Sequence, residues 1–136
     1  MAGYSSTPLA KKLGFKEGYR IRTTGAPANY PDLLEPLPPG ITISSRISSR
    51  VDIWHIFTRS YLELDSKLPT LMSAIHPDGA IWVSWPKKSS GVPSTVTEDS
   101  IREIALPLGL VDVKVCAIDD TWSGLKLVVR KELRTQ

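Results

Sequence analysis

The stretch Leu71–Lys88, LMSAIHPDGAIWVSWPKK, constrains the fold more than any other part of the chain. It reads as the end of a helix, a Pro-Asp-Gly turn, a strand that is apolar on both faces, and a basic segment. A strand with two apolar faces is typical of a parallel sheet that is covered by helices on both sides. Ligands of such open sheets bind just beyond the carboxyl ends of the strands. The sequence therefore predicts an α/β protein whose binding residues include Trp85-Pro86-Lys87-Lys88.

Helices and strands alternate along the rest of the chain. Ser6-Thr7-Pro8 is typical of a helix start, with a hydroxyl cap and proline at the first position, and Gly14 of a helix end. Further patterns predict strands over Tyr19–Thr24, Ile41–Ser45, Val51–Thr58 and Gly79–Trp85, and a short helix over Pro31–Glu35.

The helix after the third strand has a clear start signal. Ser60 and Glu63 have the capping-box spacing. Pro69 is expected to split this helix into a piece ending near Lys67 and a piece over Thr70–Ile75, because proline cannot donate a helical hydrogen bond.

The last third of the chain predicts one helix and a hairpin. A polar loop, Lys87–Ser94, is expected to be mobile when empty and ordered by a ligand. The next helix is capped by Thr95 or Thr97 and closed by Pro107 and Gly109. Apolar residues then alternate along Val111–Ala117 and Leu125–Val129, on either side of a turn over Asp119–Gly124.

Composition limits the partners and the compartment. The length of 136 residues suits a single domain over residues 1–136, and a net charge of +3 with interspersed signs argues against a nucleic-acid partner. The single cysteine, Cys116, favours a reducing compartment. The chain shows neither a secretory signal pattern nor an apolar run long enough to span a bilayer, so a cytoplasmic protein that does not bind membranes is expected.

Four segments carry a resemblance to a known family. They are TPLAKKLG (Thr7–Gly14), WVSWPKKSSGVPS (Trp82–Ser94), TEDSIRE (Thr97–Glu103) and GLVDVKVCAIDDTWSGLKLVVR (Gly109–Arg130). With these the chain resembles a bacterial family of domains of unknown function, DUF3052, with a class I methyltransferase-like Rossmann fold. The resemblance implies a sheet of about six strands in the order second–first–third–fourth–sixth–fifth, with only the sixth antiparallel. It implies no particular reaction.

The chain departs from true methyltransferases at both places where these enzymes hold S-adenosylmethionine. The loop after the first strand, Thr23–Tyr30, has one glycine, and Pro27 lacks a backbone donor. The second strand ends in Thr42–Arg46 with no acid for the ribose hydroxyls, and Arg46 suits a phosphate better. A relative that has lost the cofactor is therefore expected, with no cofactor of its own. The alternative is a divergent methyltransferase that binds S-adenosylmethionine in the same crevice.

Ligand-binding residues are predicted where the parallel strands end, because those ends share one edge of the sheet. The candidates are Thr24, Gly25, Thr58, Arg59, Trp85, Lys87 and Lys88. Their chemistry predicts a small anionic ligand or a protein partner, with no metal and no catalytic residue. The plainer interpretation treats these positions as solvated loop and core-packing residues. A third possibility is a scaffold that acts through an edge strand or the terminal hairpin.

Other reactive residue types have ordinary structural explanations. His55 is expected to be buried and hydrogen-bonded, and His76 to be exposed at the opposite end. Cys116 should pack as a small apolar residue. Asp119 and Asp120 are either turn aspartates or an acid pair. Finally, Trp82, Trp85 and Trp122 are either packing residues or a stacking wall for a ligand.

Overall fold

The structure is a computed structural model that describes residues 7–134. Ser6, a predicted capping residue, lies outside them. The strands are β1 (Arg20–Thr24), β2 (Thr42–Ser44), β3 (Val51–Phe57), β4 (Ile75–Pro86), β5 (Leu110–Ala117) and β6 (Trp122–Val129). The helices are α1 (Leu9–Lys12), α2 (Tyr30–Leu34), α3 (Tyr61–Ala74) and α4 (Glu98–Leu108), with 3₁₀ turns at Lys88–Ser90 and Lys131–Leu133.

The six strands form one sheet in the order β2-β1-β3-β4-β6-β5. β1 pairs in parallel with β2 and β3, and β3 pairs in parallel with β4. β6 is antiparallel to both β4 and β5. The predicted strand order and the single antiparallel strand are therefore confirmed, and the fold is a methyltransferase-like Rossmann sheet.

A separate apolar core covers each face of the sheet. On one face α3 and α4 pack over β3, β4 and β6, and this core includes Trp54 and Trp85. On the other face α1 and α2 pack over a core that includes Trp82, whose indole N–H donates to the carbonyl of Leu13 at 2.9 Å. The two cores make the strand ends a rigid support for the loops that follow them.

The expected break at Pro69 is wrong, because α3 runs without interruption from Tyr61 to Ala74. Pro69 lies on the exposed side of the helix, whereas Leu64, Leu68 and Leu71 are buried against the sheet. Burial of that stripe on both sides of the proline outweighs the lost hydrogen bond. No helix within residues 7–134 is long and apolar enough to cross a membrane.

The expected Pro-Asp-Gly turn is also wrong, because β4 begins at Ile75, directly after α3. The segment instead forms an irregularity inside the strand, since Val51 pairs with Ile75 and Ile53 pairs with Ala80. Gly79 fits this place because a Cβ built on it would lie 2.6 Å from the carbonyl oxygen of Asp52. His76, expected to be exposed, is half-buried here.

The helix starts are set by side-chain caps in two of the four helices. Thr97, rather than Thr95, caps α4, and its bonds with Ser100 are reciprocal. The hydroxyl of Ser60 accepts from the amide of Glu63 at the start of α3. At α1, Pro8 occupies the cap position instead of the first helical position, without a side-chain cap bond.

Candidate functional site

The seven predicted binding residues lie at one edge of the sheet, which we call the carboxyl-edge site. Thr24 ends β1 and Gly25 follows it, while Thr58 and Arg59 follow β3. Trp85 is the penultimate residue of β4, which ends at Pro86, and Lys87 and Lys88 come directly after it. These three strands are neighbours and parallel, with Thr24 opposite Ile56 and Phe57 opposite Ser84. The site members are Thr24, Gly25, Thr58, Arg59, Trp85, Lys87 and Lys88.

Only part of the carboxyl-edge site faces solvent. Arg59 and Lys88 are exposed, and Lys87 is half-buried. Trp85 is 9% exposed and belongs to the core under α3 and α4, while Thr58 is 3% exposed. The accessible chemistry of this edge is therefore cationic.

The hydroxyl of Thr58 is hydrogen-bonded to residues at the start of α3. Its Oγ1 accepts from the amide of Ser60 at 3.1 Å and donates to the carboxylate of Glu63. The capping box expected from the sequence is thus completed through Thr58, because Glu63 reaches the Ser60 amide only by way of this hydroxyl. The hydroxyl of Thr58 and then Lys67 lower the pKa of Glu63, so its carboxylate is stabilised in the charged form.

Thr24 and Gly25 are held against β3. The indole N–H of Trp54 donates to Oγ1 of Thr24 at 2.8 Å. Gly25 has a φ of +71°, and a Cβ there would lie 2.6 Å from the carbonyl oxygen of Phe57. Glycine is therefore required at this position by both the turn and the close approach of the backbone.

Arg59 borders an open depression at the end of β3. The depression has a volume of about 740 Å³ and is lined by Arg59, Ser60, Glu63, Pro93, Ser94 and Thr95. The amide of Thr95 donates to the carbonyl of Arg59 at 2.9 Å, and the Thr95 hydroxyl accepts from the amide of Tyr61 at 2.8 Å. These bonds hold the segment before α4 against the start of α3 and keep the depression open between them.

The loop after β4 has internal order. Its first amide, that of Lys87, donates to the carbonyl of Thr121 at 2.8 Å, which ties the loop to the hairpin. The hydroxyl of Ser90 donates to the carbonyl of Lys87 at 2.6 Å and accepts from the amide of Val92 at 3.1 Å. The expected ligand-dependent mobility of Lys87–Ser94 stays a prediction.

A buried polar chain lies on the α1 and α2 face of the sheet. Nδ1 of His55 bonds the hydroxyl of Tyr30 at 2.8 Å, and Nε2 bonds the hydroxyl of Ser84 at 2.7 Å. Phe57 stacks on His55 at 4.2 Å and meets Trp122 edge to face at 5.1 Å. Burial lowers the pKa of His55 to about 3 and raises the pKa of Tyr30, so the histidine is neutral at physiological pH.

The buried, hydrogen-bonded state of His55 confirms its prediction, but sequence reasoning missed both partners. Strand alternation puts Ser84 on a definite face, yet only the register of β3 against β4 puts it beside His55. Tyr30 comes from α2, so no pattern within the strands identifies it.

The other reactive residues take the plainer roles. Oδ1 of Asp119 accepts from the amides of Thr121 and Trp122, as in a turn aspartate. Burial raises the pKa of the half-buried Cys116 thiol. Since Trp82 and Trp85 are buried in opposite cores, only Trp122 of the expected stacking wall is partly open. Residues 7–134 contain no group of three or more histidine, cysteine or acidic side chains arranged for a metal ion.

The residues present do not fit S-adenosylmethionine. The loop after β1 offers one glycine, which is packed against the backbone of β3, and Pro27 removes a donor. Where β2 ends, Ser44, Ser45 and Arg46 offer no carboxylate for a ribose diol. The side chain of Tyr30, the first residue of α2, is turned inward to His55.

Comparisons with known proteins agree with the sheet topology. A family model described as "Protein of unknown function (DUF3052)" matches residues 47–131. A SAM-dependent methyltransferase from Aquifex aeolicus is similar in structure, with a TM-score of 0.63 at 15% identity over 88% of this chain and 87% of that chain. A putative methyltransferase from Thermoplasma acidophilum has a TM-score of 0.58 at 9% identity over 93% and 76%.

A third similar structure is a protein in the NADB-Rossmann superfamily from Streptococcus agalactiae, with a TM-score of 0.56 at 12% identity over 96% of this chain and 71% of that chain. No curated protein matches the sequence. At these identities the likenesses establish the fold and nothing further.

Proposed function

The chain belongs to the DUF3052 family of proteins of unknown function, and from that premise we propose that it is a non-catalytic binding module for a small anion. The anion binds at the carboxyl-edge site, on the cations Arg59, Lys87 and Lys88. The observation that carries the proposal is the state of the Arg59 side chain, which is exposed beside an open depression.

Arg59 differs from the neighbouring charged residue Glu63 in whether its side chain is ion-paired. Within residues 7–134 its guanidinium makes no ion pair or hydrogen bond, although its carbonyl is bonded to Thr95. Glu63, which lines the same depression, is paired with Lys67 at 3.0 Å. A guanidinium left unpaired beside an open depression provides the planar donors that a phosphate or carboxylate binds.

The accessible chemistry favours binding over catalysis. Arginine and lysine at the surface remain protonated and stabilise negative charge, but they do not exchange protons readily near neutral pH. The histidine of this region is buried beneath the edge and neutral, with both ring nitrogens bonded. A proton-transfer role would need an accessible group with a pKa near the working pH.

The test is a titration of ¹⁵N-labelled protein with inorganic phosphate, followed in two-dimensional amide spectra. We expect shifts at residues 59, 87, 88 and 95, and a loss of about tenfold in affinity in Arg59→Gln. Arg50→Gln, an exposed arginine before β3, is the matched control. Amide exchange in Lys87–Ser94 should slow on saturation. Equal phosphate affinity in Arg59→Gln and the unaltered chain would contradict the proposed site. Firm amide protection of Lys87–Ser94 before phosphate is added would contradict the expected ordering of that loop by a ligand.

The alternative expected from the sequence is a divergent S-adenosylmethionine-dependent methyltransferase, a class of enzyme whose fold this chain shares. Calorimetry with S-adenosylmethionine distinguishes the two. Saturable micromolar binding supports the enzyme, and its absence supports the binding module. A protein partner at the same edge is the other expectation from the sequence, and it stays a prediction.

A further inference from the structure

Four lysines gather where the end of α1 meets β5 and β6, outside the carboxyl-edge site. We call Lys12, Lys16, Lys114 and Lys126 the amino-edge cluster. Lys12 ends α1, Lys16 follows it, and Lys114 and Lys126 come from β5 and β6. Lys126 lies opposite Trp82 in the middle of β4, and with Lys16 it borders a pocket that extends to Asp52 and Gly79, near the starts of β3 and β4.

Two of these lysines are direct neighbours across the hairpin. Lys114 of β5 pairs with Lys126 of β6, and like charges directly opposite each other destabilise a sheet. Nζ of Lys114 is stabilised by the carbonyl of Lys12 at 3.0 Å, near the carboxyl end of α1. Nζ of Lys126 lies beside Gly14, where a Cβ would be 3.6 Å from it.

Among the described residues no carboxylate is ion-paired with a lysine of this cluster, although Asp52 and Asp78 line the pocket beside Lys16 and Lys126. Within residues 7–134 none of the four lysines forms an ion pair, whereas Arg102 alone contacts Glu98, Asp99 and Asp112. Burial, and then the charges of Lys114 and Lys16, lower the pKa of Lys126. The fold thus holds a partly buried ammonium group among like charges, an arrangement that an incoming anion would stabilise.

Space for a ligand lies next to these cations. A pocket of about 300 Å³ is lined by ten residues, with Lys16 and Lys126 among them and Asp52, Asp78 and Gly79 on the β3 and β4 side. The carboxylate of Asp52 accepts from the amide of Arg20 at 2.8 Å. A second, open depression lies beside Lys12 and Lys114. We propose that the amino-edge cluster is a second ligand site, for a compact anion of two or more charges such as a phosphoanhydride.

The anion is expected to carry several charges because the cluster contains several unpaired cations. One singly charged ion would leave most of the repulsion in place, whereas two linked phosphoryl groups contact several ammonium groups at once. Asp78 restricts the anion to the lysine side of the pocket. The proposal concerns a site separate from the carboxyl-edge site and is independent of binding at Arg59.

The experiment is a titration of the full chain with inorganic pyrophosphate at constant ionic strength, followed by amide spectra and by melting temperature. We expect shifts at Gly14, Gly79 and Lys126 and a rise in melting temperature, since a ligand of the native state stabilises it. Inorganic phosphate should bind at this cluster about tenfold more weakly than pyrophosphate.

The variant Lys126→Met keeps the apolar part of the side chain and removes the charge. We expect an unliganded melting temperature no lower than that of the unaltered chain, and pyrophosphate binding weaker by about tenfold or more. Lys131→Met, an exposed lysine in the last 3₁₀ turn, is the matched control and should change affinity by less than about twofold. Asp78→Asn should tighten binding, because it removes a negative charge from the pocket.

Three results would overturn the proposal. They are an absence of shifts at Gly14 and Lys126, equal affinity in Lys126→Met, and shifts confined to residues 59, 87 and 88, which Arg59→Gln would abolish. If Lys126→Met does not fold, Lys16→Gln at an exposed position makes the same test, with weaker pyrophosphate binding expected and unchanged binding contradicting the site.

Discussion

At the scale of single residues, the charged and polar groups of this protein divide by whether they have partners. Buried polar groups such as His55 and Thr58 have their hydrogen bonds completed inside the fold. Arg59 and Lys126, by contrast, carry charge that no described side chain neutralises. Because buried groups without partners cost stability, the paired set is explained by folding alone. The unpaired cations are the residues that a ligand-binding role would explain.

His55 gives a prediction about pH. Its folded pKa is lowered to about 3, while an unfolded histidine titrates near about 6.5. Between those values the unfolded chain binds the additional proton, so stability is fully present above pH 6.5 and falls as the pH is lowered towards 3. Relative to His55→Gln, the unaltered chain should lose about 2 kcal/mol of unfolding free energy between pH 7 and pH 5.

Urea unfolding of both proteins at several pH values measures this difference. Acidic groups such as Glu63 titrate in both proteins, so subtracting one curve from the other isolates the histidine. Parallel curves for the two proteins would show that His55 has the same pKa in the folded and unfolded states.

At the scale of elements, the sequence patterns predicted the existence of each strand, and the family resemblance implied the order of the sheet. Neither predicted how α3 meets β4. Local patterns such as Ser60 with Glu63 depend on chain neighbours, and the structure contains that cap. The breaks expected at Pro69 and at Pro77-Asp78-Gly79 did not form, because tertiary packing decided both. Leu68 and Leu71 hold the helix to the sheet past the proline, and the register against β3 extends β4 back to Ile75.

The uninterrupted α3 leads to a prediction for Pro69→Ala. Proline inside a helix costs about 3 kcal/mol, of which its restriction of the unfolded chain returns about 1 kcal/mol. The variant should therefore be more stable by about 1–2 kcal/mol. Chemical denaturation monitored by circular dichroism measures the change, and Pro93→Ala in the loop before α4 is the control. An unchanged midpoint would mean that α3 loses nothing by containing the proline.

At the scale of the whole molecule, Arg59 and the amino-edge cluster are two separate groups of cations on one sheet. The carboxyl edge could be predicted from the sequence because strand ends of a parallel sheet converge there. The amino-edge cluster could not, since Lys12 and Lys114 are brought together only by the packing of α1 against the C-terminal hairpin. The same limit applies to Tyr30 and Ser84, whose contact with His55 depends on long-range register.

The two cores also predict how the molecule unfolds. Both share the strands β3 and β4, so a single domain should lose them together. Leu13→Ala on one face and Leu64→Ala on the other each remove a fully buried side chain, and each should lower the unfolding free energy by about 2–5 kcal/mol. In native-state hydrogen exchange, the protection of the most protected amides of β1, β3 and β4 should fall by the same amount in both variants.

Leu62→Ala, at a side chain 76% exposed, is the control and should change stability by less than about 0.5 kcal/mol. Loss of protection confined to α3 and α4 in Leu64→Ala would show that the two faces unfold separately and that the chain is not one cooperative unit.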